Sequence, residues 1–342
     1  MATELELVER ADLRALNSFG VSARARWLAR ARSRDAVARA LEHAQRLRLP
    51  VHVLGAGSNV VIAGDLDALV LLPELRGVEW LCADGQGMRV RAAAGENWHE
   101  FVQATLAHGA CGLENLALIP GTVGAAPIQN IGAYGVELER FVVAVEAFDR
   151  IAGRCLRIDA AACDFRYRDS RFKREDGRHI IVAVEFALLR QAELVLDYAG
   201  VREELASSGV ARPTAADIMH AVCAIRRRKL PDPARIGNAG SFFKNPLLAS
   251  AQAQVLRERH PGLPVYPVGP DQAKLAAGWL IEQCGWKGRR AGNVGVHEAH
   301  ALVLVNHGGA SGADILALAA VIAADVRTRF GVTLEIEPRI LR

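Results

Sequence analysis

The sequence predicts an α+β protein with more than one domain, and three observations lead to that prediction. The chain has 342 residues, enough for two or three domains with a sizeable core. Valine-rich, strand-like runs occur among capped helices up to about Arg228, and helix and strand signals follow in turn after it. The sixteen residues from Pro120 to Gly135 carry too few bulky apolar groups for a packed helix or a half-buried strand. We therefore expect a cofactor-binding first part and a smaller α+β domain.

Two capped helices are predicted in the first part. Ser33 can cap a helix that Pro50 stops, and Asn97 can cap a second one that ends at Gly109. Apolar residues recur at helical spacing in both segments. The residues expected to face the core are Val37, Leu41, Ala44 and Leu47 in the first helix and Trp98, Phe101, Val102 and Leu106 in the second.

Strands are predicted where β-branched residues cluster or alternate. Residues 51–62 indicate a strand, a glycine turn and another apolar run, and residues 68–72 indicate a short buried strand. Residues 141–148 and 180–189 are strand-like, with a polar loop at 163–176 between them.

The second part begins with a segment, 226–246, that we expect to be irregular because prolines and glycines interrupt it. Asp271 is expected to cap a helix carrying Leu275, Trp279 and Cys284, and residues 301–305 to form a buried strand. Ser311 and Asp314 form a capping box. The helix after it ends at Gly331, and its core face is expected to hold Ile315, Leu318, Ile322, Val326 and Phe330.

Composition excludes several classes of protein. Hydrophobic residues make up 51% and charged residues 23%, which is ordinary for a globular chain, and the net charge is +4. No apolar run approaches the roughly 18 residues of a membrane span, and the N-terminus does not resemble a signal peptide. The six cysteines form no C-x-x-C pair, so we expect a reducing cytoplasm and no disulfide or metal site. The basic run Arg226–Lys229 lacks the interleaved aromatic residues that nucleic-acid binding favours.

The run Pro120–Gly135 is the most informative part of the chain. Its glycines, at 121, 124, 132 and 135, permit positive φ and close approach of backbone to another group. We expect its backbone N–H groups to point outward and to form a cradle for an anionic or planar ligand. A flexible linker is the alternative, but linkers favour Ser, Glu and Lys, which the run lacks.

A second glycine turn, Gly55–Asn59, follows a strand as a dinucleotide-binding loop would. Val60 replaces the third glycine of G-x-G-x-x-G, and an apolar run rather than a long helix follows, so a standard Rossmann site is disfavoured. The turn still offers amides and the side chains of Ser58 and Asn59 to a diphosphate. Alone, this signal is weak.

Together, LGAGSN and PGTVGAAPIQNIGAYG resemble the FAD-binding part of the vanillyl-alcohol-oxidase (PCMH) type of flavoprotein. Within that type the chain is similar to the first subtype of the UDP-N-acetylenolpyruvoylglucosamine reductase family. The similarity covers nearly the whole sequence and includes GLENLALIPG, YRDSRFK, KLPDP, GNAGSFFKNP, KLAAGWLIEQCGWKG and LEIEPRI. So many motifs in the same order make coincidence a poor explanation.

The resemblance implies FAD-dependent, NADPH-driven reduction of UDP-N-acetylglucosamine enolpyruvate to UDP-N-acetylmuramate for peptidoglycan. Hydride would pass from the flavin to the vinyl carbon, Ser241 would supply the proton, and Arg168 and Glu337 would stabilise the carboxylate and its developing enolate. The resemblance also implies non-covalent FAD, since neither loop holds Cys or His. Its contacts would be Gly55, Ala56, Gly57, Ser58 and Asn59 in the first loop, and Pro120, Gly121, Thr122, Gly124, Ala125, Gln129, Asn130, Gly132, Ala133 and Tyr134 in the second.

Without the resemblance, the three catalytic candidates have simpler interpretations. Arg168 could be a solvated surface arginine, and Ser241 a turn residue after Gly240 that needs water or Lys229 to act as an acid. Residues 334–340 predict a terminal strand with Leu334, Ile336 and Ile340 on one face. Glu335 and Glu337 would then share the opposite face. Either both carboxylates face solvent, or Glu337 is the functional group and Glu335 assists it.

Substrate contacts are also implied by resemblance. Lys229, Asn245, Lys274 and Lys287 would contact the diphosphate, uridine or NADPH phosphate, and Tyr198 would close over the substrate. Each could instead be a surface lysine or, for Tyr198, ordinary core. His300 departs from the pattern, because glutamine is expected at its position.

The implied architecture has two FAD-binding subdomains, at 1–75 (with 334–342 returning to it) and 76–228, and a substrate-binding domain at 229–333. We expect a monomer that binds small molecules and neither nucleic acid nor membrane. Two other functions remain open: a flavin oxidase that uses dioxygen, and a UDP-sugar-binding protein without redox activity. Slow reaction of the reduced flavin with oxygen would exclude the first, and loss of Ser241, Arg168 or Glu337 would mark the second.

Overall fold

The computed structural model describes residues 4–83, 87–198 and 200–342. Its contacts divide the chain into two compact units. The first unit contains the described residues up to Ala11 together with Ala25–Ala56 and Leu66–Arg228. The second contains Asp12–Arg24, Gly57–Asp65 and Lys229–Arg342. Each unit is thus assembled from segments that are distant in sequence, and the finer division of the first part at residue 75 stays a prediction.

The strands are, in chain order, β1 (Leu5–Asp12), β2 (Arg24–Ala31), β3 (Val51–Val53), β4 (Val60–Ile62), β5 (Leu66–Pro73), β6 (Val78–Ala83), β7 (Gly87–Ala93), β8 (Gly132–Ala133), β9 (Val136–Glu137), β10 (Val142–Asp149), β11 (Arg154–Asp159), β12 (His179–Leu189), β13 (Gly237–Ser241), β14 (Leu247–Ala249), β15 (Val265–Val268), β16 (Gln272–Leu275), β17 (Arg290–Ala291), β18 (Val294–Val296), β19 (Val303–Asn306) and β20 (Arg339–Leu341). The α-helices are α1 (Arg34–Arg46), α2 (Trp98–Ala107), α3 (Arg171–Arg174), α4 (Val201–Ser207), α5 (Ala215–Lys229), α6 (Ser250–Arg259), α7 (Ala277–Gln283) and α8 (Gly312–Phe330).

The described residues of the first unit form two larger sheets and the short antiparallel pair β8-β9. One has the order β1-β2-β5-β3, and both β2 and β3 run parallel to β5. Helix α1 packs on it through Val37 and Ala40, and Ser33 Oγ accepts a hydrogen bond from Ala36 N at the start of the helix, as the sequence predicted. The other sheet has the order β11-β10-β12-β7-β6, and all its pairs are antiparallel.

The larger core of the first unit is built around Trp98, the first residue of α2. Its ring packs against Phe101 and Phe186, and its indole N–H donates to the Leu116 carbonyl at 2.8 Å. Asn97 caps the helix by accepting from Glu100 N. The predicted cap and buried face are confirmed, with Leu106 half-buried.

The second unit is built on two antiparallel sheets and α8. The sheets have the orders β13-β19-β18-β17 and β14-β16-β15, and β4 pairs with β20 in parallel. Ser311 and Asp314 form the predicted capping box, and Gly331 ends α8 in the left-handed conformation with φ 70°. The predicted core face of α8 is buried. No helix among the described residues is long and apolar enough to cross a membrane.

Four local predictions are wrong. Leu47 is 39% exposed, because α1 ends at Arg46. Asp271 precedes the strand β16 rather than a helix, and α7 begins only at Ala277. The segment 226–246 is partly regular, because α5 continues to Lys229 and β13 follows. The terminal strand is limited to Arg339–Leu341, since Pro338 has no N–H to donate to a neighbouring strand.

Candidate active site

Two loops of small residues meet in the first unit. A Cβ atom on Gly55 would lie 2.9 Å from Thr122 Oγ1 and 3.1 Å from the Cβ of Ala125, so a larger residue would separate the loops. Ala56, next to Gly55, is exposed. The structure thus brings together the two loops that the sequence assigned to one cofactor site.

The rest of the first loop belongs to the second unit. Gly57 has φ 63°, and a Cβ atom there would lie 1.9 Å from the Leu16 carbonyl oxygen. Its own carbonyl accepts from Ser18 N, and the carbonyl of Asn59 accepts from Arg339 N. Ser58 and Asn59 are half-buried. This part of the turn is therefore held by backbone contacts within the second unit.

The segment Pro120–Gly135 differs from the open cradle that the sequence predicted. Residues 123–129 form a 3₁₀ helix. At its start, Val123 N donates to the Glu96 carbonyl and Gly124 N to the Ala94 carbonyl, each at 2.9 Å. The first N–H groups of a helix have no acceptor within the helix, and here protein carbonyls supply two of those acceptors. The amides of Val123 and Gly124 therefore do not point outward to a ligand. Gly124 is needed for packing, since a Cβ atom there would lie 2.5 Å from the Cβ of Ala94.

The end of this segment is shaped by Asn130, which is fully buried and left-handed with φ 45°. Its Oδ1 accepts from Glu139 N at 3.0 Å, and its Nδ2 donates to the Arg166 carbonyl at 3.3 Å. The Asn130 side chain therefore hydrogen-bonds to the protein backbone through both its oxygen and its nitrogen. The remaining predicted contacts are exposed Pro120 and half-buried Gly121, Gln129, Gly132 and Ala133.

Arg168 lies against this segment rather than in solvent. It is half-buried, and its Nη2 donates to the Gly132 carbonyl at 2.7 Å. Its backbone is left-handed, with φ 54°, and its guanidinium carbon lies 5.3 Å from the centre of the Tyr167 ring. A Cβ atom on Gly132 would lie 2.9 Å from Arg168 Nη1, so glycine leaves room for the guanidinium.

The loop that carries Arg168 is tied to the same segment by Ser170. This serine is fully buried, and its Oγ donates to the Ile128 carbonyl at 2.6 Å. The same oxygen accepts from Lys173 N and so caps α3. Lys173 Nζ also donates to the Arg168 carbonyl at 3.2 Å. The Arg168 backbone is thus fixed from both sides of the loop.

A third basic residue, Arg226, acts on Tyr134 of the segment Pro120–Gly135. The sequence analysis noted it only as part of a basic run and did not predict it as a site residue. Tyr134 and Tyr198 meet edge to face with ring centres 5.2 Å apart, and Tyr198 is half exposed. Burial raises the pKa of the Tyr134 phenol, and the charge and hydrogen bond of Arg226 oppose that rise. The sequence did contain a signal for this placement of Arg226. Arg226 follows Val222 by four residues, so the two share a face of α5, and Val222 is buried.

In the second unit, the segments carrying Ser241 and Glu337 run side by side. Ser241 ends β13 just after Gly240, which has φ 69°. Glu337 N donates to the Phe242 carbonyl at 2.9 Å, and Phe243 is bridged to Ile336. Both Ser241 and Glu337 are half-buried.

Glu335 does not share the position of Glu337. Its carboxylate pairs with Lys244 and is largely exposed, because the short pairing with residues 242–244 turns it outward. The idea that Glu335 helps Glu337 is therefore not supported by its placement.

A cluster of basic groups in the second unit surrounds His300. Its Nδ1 accepts from Leu302 N at 3.3 Å, which leaves Nε2 as the N–H in the neutral ring. Burial lowers the pKa of His300, and the positive charges of His297, Lys229 and Lys287 lower it further. Lys229 is exposed, and Lys287 pairs with Glu282 at 2.9 Å. Such a cluster suits an anionic ligand.

The two other predicted substrate contacts have structural partners. Asn245 Oδ1 accepts from Ala277 N at 3.0 Å at the start of α7. Lys274 is half-buried in β16, opposite Leu247 and Tyr266 in the neighbouring strands. Among the described residues, no group of three or more His, Cys, Asp or Glu could hold a metal ion.

The first unit has features that fit FAD. The close approach of Gly55 to Thr122 and Ala125 makes a surface without bulky side chains, which suits a flat ring and a diphosphate. Arg226 Nε is buried without a hydrogen-bond acceptor in the described protein. An anionic, acceptor-rich cofactor would supply one.

Comparison with known proteins agrees with this fit. A family model described as an FAD binding domain matches residues 25–159. A second, described as the C-terminal domain of UDP-N-acetylenolpyruvoylglucosamine reductase, matches residues 232–341. Taken together, the two models account for most of both halves of the chain.

Relatives extend over the whole length. The chain is 52% identical over 336 residues to UDP-N-acetylenolpyruvoylglucosamine reductase of Pseudomonas fluorescens, covering 98% of this chain and 99% of the relative. It is 54% identical over 340 residues to the enzyme of that name from Xanthomonas euvesicatoria, covering 99% and 97%. The crystal structure of UDP-N-acetylenolpyruvylglucosamine reductase (MurB) from Thermus caldophilus matches with a TM-score of 0.67, 26% identity and 99% coverage of both chains. The predicted fold class, an FAD-binding α+β fold with a C-terminal domain, is confirmed.

Proposed function

The chain belongs to the UDP-N-acetylenolpyruvoylglucosamine reductase family of FAD-dependent enzymes in peptidoglycan precursor synthesis, and on that premise we propose how its residues carry out the reaction. We propose that NADPH is the hydride donor and that the enol ether of UDP-N-acetylglucosamine enolpyruvate is reduced to UDP-N-acetylmuramate. The observation that carries the proposal is the pairing of the Ser241 strand with the Glu337 segment.

FAD, when bound, supplies the two-electron chemistry by accepting hydride from NADPH and delivering it to the vinyl carbon of the substrate. The loops at Gly55 and Thr122 would hold it through backbone and small side chains. Neither loop contains Cys or His, so the link is non-covalent. Denaturation should therefore release intact FAD.

Ser241 donates the proton that completes the reduction. Hydride addition leaves an electron pair on the carbon next to the carboxylate, and the Ser241 hydroxyl protonates that carbon. The alkoxide left on Ser241 needs a cation or water to recover its proton, and Lys229 of the same unit is the candidate cation.

Arg168 and Glu337 stabilise the charge before that proton arrives. The fixed guanidinium of Arg168 suits a carboxylate on which negative charge increases. Glu337 can donate a hydrogen bond to the enolate only while it is protonated, since a carboxylate accepts hydrogen bonds and does not donate them. The proposed role of Glu337 therefore requires the protonated carboxyl group.

The basic cluster of the second unit binds the diphosphate of the UDP-sugar. Lys229 and Lys287 bring basic side chains to the cluster, and His300 offers its Nε2–H. Asn245 and Lys274 complete the proposed substrate contacts of the second unit, and Tyr198 is proposed to close over the bound substrate.

An anaerobic two-step experiment tests the proposal. NADPH should bleach the flavin absorption, and UDP-N-acetylglucosamine enolpyruvate should then restore it rapidly. A flavin that is bleached but stays reduced would contradict the substrate assignment, and rapid reoxidation by dioxygen alone would favour an oxidase. Failure of NADPH to bleach the flavin would contradict the donor.

A further inference from the structure

One buried side chain, Asn115, connects the segment Pro120–Gly135 to the segment that carries Tyr198. Asn115 is 1% exposed, and its Nδ2 donates to the Tyr134 carbonyl at 2.9 Å and to the Val195 carbonyl at 3.0 Å. An amide nitrogen has two hydrogens, so each segment receives one of them. Asn115 lies in a 3₁₀ turn, Glu114–Leu116, whose three residues are all buried. The bridge therefore starts from the core of the first unit.

The segment at 190–198 needs such a tie, because its residues form neither a helix nor a strand. Val195 packs against the core beside Gly135, where a Cβ atom would lie 3.1 Å from Val195 Cγ1. Val195 precedes Tyr198 by three residues, and three residues span at most about 11 Å. A fixed Val195 therefore limits how far Tyr198 can move from the cofactor segment.

The other end of the bridge holds Tyr134, whose backbone is in the left-handed region with φ 49°. That conformation is uncommon for a residue other than glycine, so it needs support from its surroundings. Asn115 fixes the Tyr134 carbonyl, while the Tyr134 ring meets that of Tyr198 edge to face with ring centres 5.2 Å apart. The two segments are thus joined by a shared amide group and by a ring contact.

We propose that Asn115 is a positioning residue that holds Tyr198 beside the cofactor segment and so sets how well the enzyme closes over the UDP-sugar. It acts through the backbones of Val195 and Tyr134. When fewer molecules have Tyr198 in place, the apparent affinity for the UDP-sugar falls in proportion. This role rests on the proposed function, because it requires Tyr198 to close over the bound substrate.

The test compares FAD-loaded wild type with Asn115→Leu, which keeps the approximate shape of the side chain but has no donor. Thr105→Val is the matched control, because it removes a hydrogen bond from a buried hydroxyl to the Val102 carbonyl at 2.8 Å in the same core. One readout is the affinity of the oxidised enzyme for UDP-N-acetylglucosamine enolpyruvate, followed by flavin absorption. The other is hydrogen exchange over residues 190–198 without the UDP-sugar, followed by mass spectrometry.

Asn115→Leu should bind the UDP-sugar about two- to tenfold more weakly, the usual contribution of one neutral hydrogen bond. Residues 190–198 should also exchange faster in this variant. Thr105→Val should change neither readout, even where it lowers the midpoint of urea unfolding. If Asn115→Leu does not fold, Asn115→Ser gives the same comparison, since its shorter side chain cannot bridge the two carbonyls.

A combined variant separates this role from a general loss of stability. If Asn115 acts through Tyr198, then Asn115→Leu together with Tyr198→Ala should bind the UDP-sugar no more weakly than Tyr198→Ala alone. Losses that multiply in the combined variant would overturn the inference, as would unchanged exchange over residues 190–198 in Asn115→Leu. A wild type that does not bind the UDP-sugar would instead contradict the proposed function, and the exchange measurement does not depend on that result.

Discussion

At the scale of single residues, neighbouring groups decide what each side chain does. All four residues of the run Arg226–Lys229 are basic, yet Arg226 acts on the phenol of half-buried Tyr134, whereas exposed Arg228 pairs with the Glu204 carboxylate. The helical phase of α5 makes that difference, because Val222 and Arg226 are four residues apart on its buried face. Arg168 also looks like a surface residue in sequence, and only the contact with Gly132 shows otherwise.

Ser241→Ala should separate the two halves of the reaction. Flavin reduction by NADPH needs no proton from Ser241, so its rate should stay close to that of wild type. Reoxidation by the UDP-sugar should slow by about 10²- to 10⁴-fold, the usual contribution of a positioned acid. Stopped-flow absorbance of each half-reaction measures both rates. An equal loss in the two halves would contradict the assigned role, and Ser250→Ala, in α6, provides a control.

His300 should make substrate binding depend on pH. Burial and the positive charges of His297, Lys229 and Lys287 keep its pKa below the ordinary value in the free enzyme. A bound diphosphate would favour the imidazolium and raise that pKa, so binding takes up a proton and affinity increases as pH falls through the bound-state pKa. Titrations of UDP-sugar between about pH 8 and 5.5 should show this increase.

In His300→Gln the affinity should vary less with pH, since glutamine does not titrate in this range. Exposed His220, in the first unit, supplies the control His220→Gln, which should retain the wild-type pH dependence. Identical pH profiles for wild type and His300→Gln would show that His300 does not face the diphosphate.

At the scale of elements, the sequence predicted best where a cap and a periodic pattern agree. Helices α1, α2 and α8 have both, and their caps at Ser33, Asn97 and Ser311 are confirmed. β16 was mistaken for a helix because Asp271 resembles a cap, although Ala273 and Leu275 alternate with polar residues as in a strand. The 3₁₀ helix at 123–129 has no such pattern, and its first two amides, of Val123 and Gly124, bind carbonyls that are distant in sequence.

Two serine caps allow a matched comparison. Ser170→Ala removes the cap of α3 and the bond to the Ile128 carbonyl, and Ser311→Ala removes the cap of α8. Each should lower the free energy of unfolding by about 0.5 to 2 kcal/mol. Only Ser170→Ala should also lower kcat, because it releases the loop that fixes Arg168. Urea unfolding and steady-state kinetics measure the two effects, and equal kcat values would contradict this role for Ser170.

At the scale of the whole molecule, the second unit is assembled from segments that sequence patterns do not connect. Its joints are close backbone contacts at glycines. A Cβ atom on Gly237 would lie 2.2 Å from the Phe19 carbonyl oxygen, and one on Gly312 would lie 1.9 Å from that of Ile62. Neither glycine has a positive φ, so neither is at a turn position that would explain the choice of glycine. Only the close backbone contact explains it. The motifs of the candidate site were visible in the sequence, but which backbones contact one another follows only from the packed structure.

Acid stability should depend on one buried carboxylate, Asp149. Burial alone would raise its pKa, but hydrogen bonds from Arg178 and from the amides of Ala152 and Ile151 outweigh burial and hold the pKa at about 2. Because the folded-state pKa lies below the unfolded value, the stabilisation is complete above about pH 4 and is lost as pH falls toward 2. It amounts to about 2 to 3 kcal/mol at neutral pH.

Asp149→Asn should therefore lower the free energy of unfolding at pH 7, and the difference from wild type should shrink between pH 4 and pH 2. Urea unfolding across this range measures both. Asp67→Asn, which removes a pair with Arg26 in which the aspartate is 81% exposed, should cost less than about 1 kcal/mol at every pH. A difference for Asp149→Asn that stays constant with pH would mean that its charge does not stabilise the fold. The loss would then come from the changed packing alone.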